Sequence, residues 1–363
     1  MFSIAKHFLT SAWAILRRYM ISQCAFIWNL LPGILTGNVE KPSLIMEAKK
    51  QPQQQQQRRS KTACTEGPRQ ITYVPIPGPW RREEKPNWPD SAFQIPAEVP
   101  DGTIYYITKG RYIGQESTAH IELLPSGHIV KYPKSNPYYP KEEEDNRERI
   151  RSEAAVYERL KNTPCVPRLV DWDSESCCLT LEHMEKGSLE AYVRELAEAK
   201  HGDVPAQVRR RWAVQAARAV EALHAAMIIH CDVTPRNFLL NAHLDLHIAD
   251  FAGCSISGSP SLIAPGARYQ PPRWSWKRKA MQEDDVFALG SVLYFIMVGT
   301  EPYADLEEET VHDLFQRSKF PKVDGLACGE IIQGCWDGTL STAVRVVDAL
   351  NSLDWEANTK QSC

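Results

Sequence analysis

The sequence predicts an α+β fold in which a small β-rich lobe precedes a larger helical lobe. Short apolar runs bounded by turn residues lie between positions 104 and 132, and this pattern predicts strands. Helical apolar patterns follow at positions 208–227 and 286–298, and a strand-like segment at 179–181 connects the two parts. The segment 286–298 is apolar on nearly every side, which predicts a helix buried at the centre of the larger lobe.

The composition is that of a globular protein with at least one sizeable core. Of 363 residues, 43% are hydrophobic, and 42 basic residues nearly balance 45 acidic ones. This near-neutral charge argues against a nucleic-acid-binding protein. The ten cysteines form no C-x-x-C pair, which argues against a zinc site and against a disulfide framework. A reducing compartment is therefore favoured, and we expect a cytoplasmic protein.

Residues 1–36 predict a basic amphipathic leader. Positions 1–35 hold three Lys or Arg residues, apolar residues recur there at helical spacing, and Glu40 is the first carboxylate. Such a segment is typical of a transit peptide or a membrane-surface anchor, so a mitochondrial or membrane-associated location stays open. Residues 19–35 contain polar residues, a proline and a glycine, which disfavours a spanning helix. A disordered leader or a misassigned start codon explains the same composition.

Residues 37–103 predict a disordered Gln/Pro-rich linker. A run of five glutamines at 53–57 is followed by eight prolines between positions 68 and 100. Too few apolar residues recur there to offset the chain entropy lost on folding. The folded domain is therefore expected at residues 104–354, with a tail at 355–363.

The predicted small lobe contains one buried acid–base pair. Residues 104–107, 119–124 and 128–132 predict strands, and the last two are joined by the turn at 125–127. The helical pattern over 147–161 places Glu153 on the apolar stripe. A carboxylate on an inward face needs a counter-charge, and Lys131 on the nearby strand is the natural partner.

Two acids and an amide lie on loops beside short apolar strands in the larger lobe. Asp232 and Asn237 lie in the run His-Cys-Asp-Val-Thr-Pro-Arg-Asn, and Asp250 begins Asp-Phe-Ala-Gly after the predicted strand 244–248. Hard carboxylate and amide oxygens are the ligands that Mg²⁺ requires. The two motifs, H-x-D-x-x-x-x-N and D-F-x-G, together resemble the catalytic and metal-binding loops of eukaryotic protein kinases.

The resemblance extends over residues 104–354 and implies a two-lobed protein kinase-like fold that binds Mg-ATP between its lobes. It implies that Lys131 holds the α- and β-phosphates and that Glu153 pairs with it. Asp232 then orients the acceptor hydroxyl and takes its proton, while Asn237 and Asp250 are magnesium ligands.

The resemblance also implies a nucleotide site at the hinge between the lobes. The Glu182 carbonyl and the Met184 amide match the groups that bind adenine, and Leu239 is assigned to the same site. The best register of the glycine-rich loop begins at Gly114 and places Ile121 at the valine that follows its third glycine.

Four departures from the family pattern are notable. Glu116 and Ala119 replace the second and third glycines of the loop, and a carboxylate at Glu116 adds repulsion near phosphates. Ile129 replaces a small residue that faces adenine, and Ala252 restricts the hinge after Asp-Phe. Cys231 replaces the arginine that usually pairs with an activation-segment phosphate, which implies another means of control. The His-Cys-Asp variant also resembles expanded fungal kinase sets.

The resemblance implies transfer of the ATP γ-phosphate to a hydroxyl of a protein substrate. Thr234 stands where Ser/Thr kinases usually have lysine, and Arg236 stands where tyrosine kinases often have arginine. Ser/Thr acceptors are favoured only because they are the family's commonest class. The alternatives are a pseudokinase, which serves as a binding or scaffold module, and a small-molecule phosphotransferase, which the pattern at 285–303 disfavours. Nothing in the sequence indicates an oligomeric state.

Overall fold

A five-stranded antiparallel sheet forms the body of the small lobe. The computed structural model describes residues 70–199 and 203–355. The strands of this sheet are β3 (Arg111–Gln115), β4 (Ala119–Leu123), β5 (Ile129–Pro133), β6 (Leu169–Asp173) and β7 (Cys178–Leu181). Their order in the sheet is β3-β4-β5-β7-β6. The sequence predicts β4, β5 and β7 but not the edge strands β3 and β6, which have only one neighbour each.

The sheet places Lys131 at its centre. Lys131 on β5 lies opposite Ile121 on β4 and opposite Leu179 on β7. Helix α2 (Pro140–Arg159) starts with proline in its first turn and packs against the sheet with a buried face that includes Glu153. The helix begins earlier than the pattern over 147–161 predicts. The apolar pattern misses the first turns of the helix because they are acidic and exposed.

Residues 70–103 are ordered, so the prediction of a disordered linker over 37–103 is wrong for this part. Strand β1 (Thr72–Ile76) pairs in parallel with β2 (Thr103–Ile107), and α1 (Pro79–Glu84) follows β1. The prolines fit because Pro79 occupies the first turn of α1 and β1 has a single neighbour. The predicted leader, the rest of the linker and nearly all of the predicted tail lie outside the described residues.

The larger lobe is mainly helical. Its helices are α3 (Leu189–Ala199), α4 (Ala206–Ala225), α5 (Gln282–Val298), α6 (Glu308–Gln316), α7 (Gly329–Asp337) and α8 (Ala343–Ser352). Helix α5 is buried along most of its length, as the sequence predicts, and it contacts both α4 and α7. Gly290 permits the close approach to α7, since a Cβ atom there would lie 2.7 Å from the Cβ of Cys335.

Two short antiparallel strand pairs hold the loops between α4 and α5. Strand β8 (Ile228–Ile229) pairs with β11 (Ser255–Ile256), and β9 (Phe238–Leu240) pairs with β10 (Leu246–Ile248). The predicted α+β fold, with a small β-rich lobe and a larger helical lobe, is thus confirmed. None of the helices within 70–199 and 203–355 is long and apolar enough to cross a membrane.

Candidate active site

Three carboxylates surround the ammonium group of Lys131. Its Nζ lies 2.6 Å from Glu153 Oε2, 2.7 Å from Glu116 Oε2 and 3.5 Å from Asp250 Oδ1. The side chain of Lys131 is only 4% exposed. The contact predicted between Lys131 and Glu153 is therefore present, and Asp250 joins it from the other lobe.

The charges in this cluster compete for one cation. Burial by itself lowers the pKa of Lys131, but Glu116, Glu153 and Asp250 outweigh it and hold that pKa well above its usual value. Burial raises the pKa of Glu153 to about 7 against the opposing charge of Lys131. Burial also raises the pKa of Glu116, again against Lys131. Lys131 therefore remains a cation, and Glu116 and Glu153 both form an ion pair with it.

Glu116 reaches Lys131 from the turn that joins β3 to β4. The Glu116 N–H donates to the Ala119 carbonyl over 3.0 Å, and Lys134 Nζ donates to the Glu116 carbonyl over 2.6 Å. These bonds hold the turn closed with its glutamate directed inward. Sequence reasoning places Glu116 near phosphates but not on Lys131, because the direction of the side chain depends on the turn conformation.

One oxygen of Asp232 is held and the other is free. Asp232 Oδ2 accepts from Arg236 Nη2 over 2.5 Å and from Asn237 Nδ2 over 2.9 Å. Asp232 Oδ1 is buried and has no hydrogen-bond partner among the described residues. A buried acceptor without a donor is costly in a folded protein, so this oxygen is suited to a hydroxyl that arrives from outside.

A buried aspartate on α5 holds the backbone of the loop that contains Asp232. Asp285 accepts from the His230 N–H over 2.7 Å and from the Cys231 N–H over 2.9 Å. It also lies 3.0 Å from His224 Nε2. These bonds stabilise Cys231 at a φ of 66°, a conformation that non-glycine residues seldom adopt. The sequence alone predicts no such role for Asp285. An acid at the start of an otherwise apolar helix is nevertheless a sign that it has polar partners in the core.

Asp250 follows β10 and is anchored by the aromatic residue after it. Phe251 is fully buried, with its ring 5.0 Å from that of Tyr157 on α2 and 5.5 Å from that of His230. Burial opposes ionisation of Asp250, but Lys131 and His230 outweigh it and hold the pKa of this carboxyl below its usual value. The carboxylate is therefore charged and faces the cleft.

The oxygen atoms near Asp232 fit a magnesium ion. Asn237 Nδ2 donates to both the carbonyl and the carboxylate of Asp232, which leaves the Asn237 Oδ1 acceptor for a cation. Asp250 supplies a partly exposed carboxylate. No group of three or more His, Cys, Asp or Glu side chains in the described parts of the chain is arranged to hold a metal. Any magnesium here would need further oxygens from phosphates and water, as is usual for this ion.

The hinge leaves backbone groups available where the resemblance places adenine. The Glu182 N–H is bound to the Arg168 carbonyl over 2.9 Å, and the Glu182 side chain accepts from the Arg168 N–H. The Glu182 carbonyl and the Met184 N–H have no hydrogen-bond partner within the described ranges. Leu239 lies next to the hinge through its bridge to Ser188.

Gly114 and Ile121 face each other across β3 and β4, and Ile121 faces Lys131 across β4 and β5. Gly114, Ile121 and Lys131 therefore lie side by side on three adjacent strands of the sheet.

Arg268 was missed by sequence reasoning, yet it fixes the segment before α5. The buried guanidinium donates to the carbonyls of Pro302, Tyr303 and Leu306 over 3.0, 3.1 and 2.6 Å. Ser291 on α5 donates to the Arg268 carbonyl over 2.7 Å. The segment before α5 is thus tied to the core of the larger lobe.

Comparison with known proteins agrees with these features. The protein kinase domain family matches residues 133–344. The 3-phosphoinositide-dependent protein kinase 1 of Homo sapiens is 25% identical over 234 residues, which cover 62% of this chain and 38% of that protein. The putative mitogen-activated protein kinase kinase kinase 7-like protein of Drosophila melanogaster is 33% identical over 137 residues, covering 36% of this chain and 33% of that protein.

A third relative is a probable serine/threonine-protein kinase of Dictyostelium discoideum. It is 24% identical over 258 residues, which cover 68% of this chain and 26% of that protein. In all three cases the match covers well under half of the relative's length. The similarity therefore concerns a domain and not the whole of each relative.

Proposed function

Since this chain belongs to the protein kinase family, we propose that it transfers the γ-phosphate of Mg-ATP to a hydroxyl group of a protein substrate. The observation that carries the proposal is the free, buried Oδ1 of Asp232, whose other oxygen is held by Arg236 and Asn237. A carboxylate held in this way can orient a hydroxyl and accept its proton. The Dictyostelium relative, whose name describes a probable serine/threonine-protein kinase, favours a Ser or Thr acceptor.

The residues of the cleft have separate tasks in the proposed reaction. The acceptor oxygen forms a bond to the γ-phosphorus, the bond from that phosphorus to the β–γ bridging oxygen breaks, and the hydroxyl proton passes to Asp232. Lys131, oriented by Glu153, holds the phosphates through its ammonium group. Asn237 and Asp250 would hold Mg²⁺, which neutralises phosphate charge when bound.

Glu116 must leave Lys131 before phosphates can bind there. Its carboxylate occupies the position beside Nζ that a phosphate oxygen requires, at 2.7 Å. Two anions at that position would repel each other in a site of low dielectric. Nucleotide binding therefore requires the turn between β3 and β4 to open.

A pseudokinase is the second candidate function, and the same contact favours it. If Glu116 stays on Lys131 at cellular ATP concentrations, the cleft remains closed to phosphates and the domain acts as a binding module. Against this stands the complete set of Lys131, Glu153, Asp232 and Asp250 in mutually consistent positions.

The test is phosphate transfer by the purified full chain. We would offer Mg-ATP with mixed Ser, Thr and Tyr peptides and with small-molecule alcohols, and compare Asp232→Asn with the exposed control Asp324→Asn. Transfer to a peptide that is lost in Asp232→Asn and kept in Asp324→Asn supports a protein kinase. No transfer by a folded chain, together with no transfer by Glu116→Gly, would overturn the proposal in favour of a pseudokinase.

A further inference from the structure

A cavity of about 220 Å³ lies between the segment that follows Asp250 and the loop that precedes α5. Four residues of the segment 258–265 line it, together with residues 274–280, Cys231 and Asp284. We propose that this cavity is a substrate subsite that binds a negatively charged side chain of the protein substrate. The inference rests on the proposed kinase function and adds the class of substrate.

The lining of the cavity is positively charged. Lys277, Arg278 and Lys279 are consecutive, and Asp284 is the single acid among the lining residues. Asp284 is already paired with Arg278, so its charge is compensated. Lys277 and Lys279 are exposed and have no carboxylate partner within the described residues. A ligand in this cavity therefore meets a net positive field, which favours an anion and disfavours Lys or Arg.

One nitrogen of Arg278 has no partner. Arg278 Nη2 pairs with Asp284, and Nε donates to the Arg273 carbonyl over 3.1 Å. Nη1 is buried and donates to no described residue. A buried guanidinium N–H without an acceptor is costly, and a carboxylate or phosphoryl oxygen would satisfy it with a charge-assisted hydrogen bond.

The position of the cavity connects it to the reaction. Cys231 lines the cavity and is the neighbour of Asp232, so their Cα atoms are about 3.8 Å apart. A peptide whose hydroxyl reaches Asp232 can therefore place a side chain a few residues away in the cavity. This geometry favours an anion carried on the substrate peptide itself.

The walls favour a peptide over a small free anion. Trp274 and Trp276 line the cavity, with ring centroids 5.0 Å apart in an edge-to-face arrangement. Trp276 is 55% exposed, so its ring is available to a chain that passes over it. Exposed aromatic rings beside cations provide contact area for a peptide backbone and aliphatic groups.

Matched peptides test the subsite. All carry one acceptor hydroxyl, and one position within three residues of it is Asn, Asp or phosphoserine. We expect KM to be about tenfold lower for the anionic peptides at one of these positions. In the double variant Lys277→Gln/Lys279→Gln, the anionic and neutral peptides should have similar KM values. The control Lys319→Gln/Lys322→Gln, which removes two lysines elsewhere in the larger lobe, should keep the tenfold difference.

Peptide binding is measured separately from transfer. Fluorescence anisotropy of labelled anionic and neutral peptides on the full chain should show the same preference without ATP. Anion-dependent binding without phosphate transfer supports the subsite and counts against the kinase function. Transfer or binding with no preference for anionic peptides overturns the subsite.

A phosphate on the chain's own Ser261, which also lines the cavity, is the competing occupant. Mass spectrometry of the purified chain detects this modification. If Ser261 is phosphorylated, and if the anion preference appears only in Ser261→Ala, the cavity belongs to the chain's own phosphoserine and the substrate proposal is overturned.

Discussion

Glu116 and Lys131 form an ion pair inside the cleft, with 2.7 Å between Oε2 and Nζ. Glu153 lies at nearly the same distance, 2.6 Å, on the other side of the same ammonium group. One glutamate comes from the helix that packs on the sheet and the other from the turn above the site. The turn between β3 and β4 is therefore held against Lys131 by Glu116, which stands at a position where the family pattern has glycine.

Replacement of Glu116 by glycine should strengthen nucleotide binding. We expect the Kd for Mg-ATP to fall about tenfold in Glu116→Gly, because loss of one carboxylate from Lys131 removes a competitor worth roughly 1.4 kcal/mol. Isothermal titration calorimetry on the full chain measures this change.

A second variant separates charge from backbone freedom. Ser117→Gly adds a glycine to the same turn at an exposed position, while Glu116→Gln removes the charge and keeps the side-chain size. If the ion pair limits binding, Glu116→Gln improves affinity and Ser117→Gly does not. Equal improvement by Ser117→Gly would show that stiffness of the turn, and not the carboxylate, limits binding.

Arg236 should affect the rate of transfer through Asp232. Its Nη2 lies 2.5 Å from Asp232 Oδ2 and, with Asn237, fixes the carboxylate. We expect kcat of Arg236→Ala to fall about tenfold while KM for ATP stays unchanged, with partial recovery in Arg236→Lys. Steady-state kinetics with the best peptide provides the measurement, and the exposed Arg194→Ala is the control. An unchanged kcat would exclude this positioning role.

Local patterns were sufficient to predict the paired charges of the cleft. Lys131 and Glu153 follow from an apolar strand and a helical stripe, and both patterns depend on spacing within a few residues. The loop residues Asp232, Asn237 and Asp250 follow from two short motifs. Each prediction needs only the local chain. In the structure, Lys131 Nζ lies 2.6 Å from Glu153 and 3.5 Å from Asp250, and Asn237 donates to Asp232.

Contacts between distant segments were not predictable in the same way. Strand β1 forms because it pairs with β2. The proline-rich composition of this segment gives no sign of that pairing. Asp285 reaches the backbone of His230 from 55 positions away, and no periodicity shows that contact. The direction of Glu116 depends on the turn between β3 and β4. These features depend on tertiary structure and not on local propensity.

Arg268 should contribute far more to stability than Arg273. Arg268 is buried and donates to three backbone carbonyls, whereas Arg273 is only partly buried. We expect Arg268→Ala to lower the free energy of unfolding by roughly 3 kcal/mol, because it removes three hydrogen bonds from a charged donor and leaves the buried Pro302 carbonyl without a donor. Arg273→Ala should change it by less than about 0.5 kcal/mol. Urea denaturation compares the two, and similar losses would contradict the assignment.

His120 lies in an aromatic environment beneath the β1–β2 pair. Its ring stacks on Tyr106 at 4.0 Å and lies 5.6 Å from Tyr73 and 5.3 Å from Tyr132. Neither ring nitrogen has a hydrogen-bond partner among the described residues. Burial, with a smaller contribution from the charge of Lys134, lowers the pKa of His120 to about 4.

This buried histidine should make stability depend on pH. The unfolded chain binds the His120 proton near pH 6.5 but the folded chain only near pH 4, so stability falls as the pH drops between these values. The loss should reach roughly 3 kcal/mol at most and be absent above pH 6.5. Urea denaturation at several pH values should show a weaker dependence in His120→Phe than in the exposed control His243→Gln. An identical pH dependence in both variants would mean that His120 is hydrated and can be protonated in the folded protein.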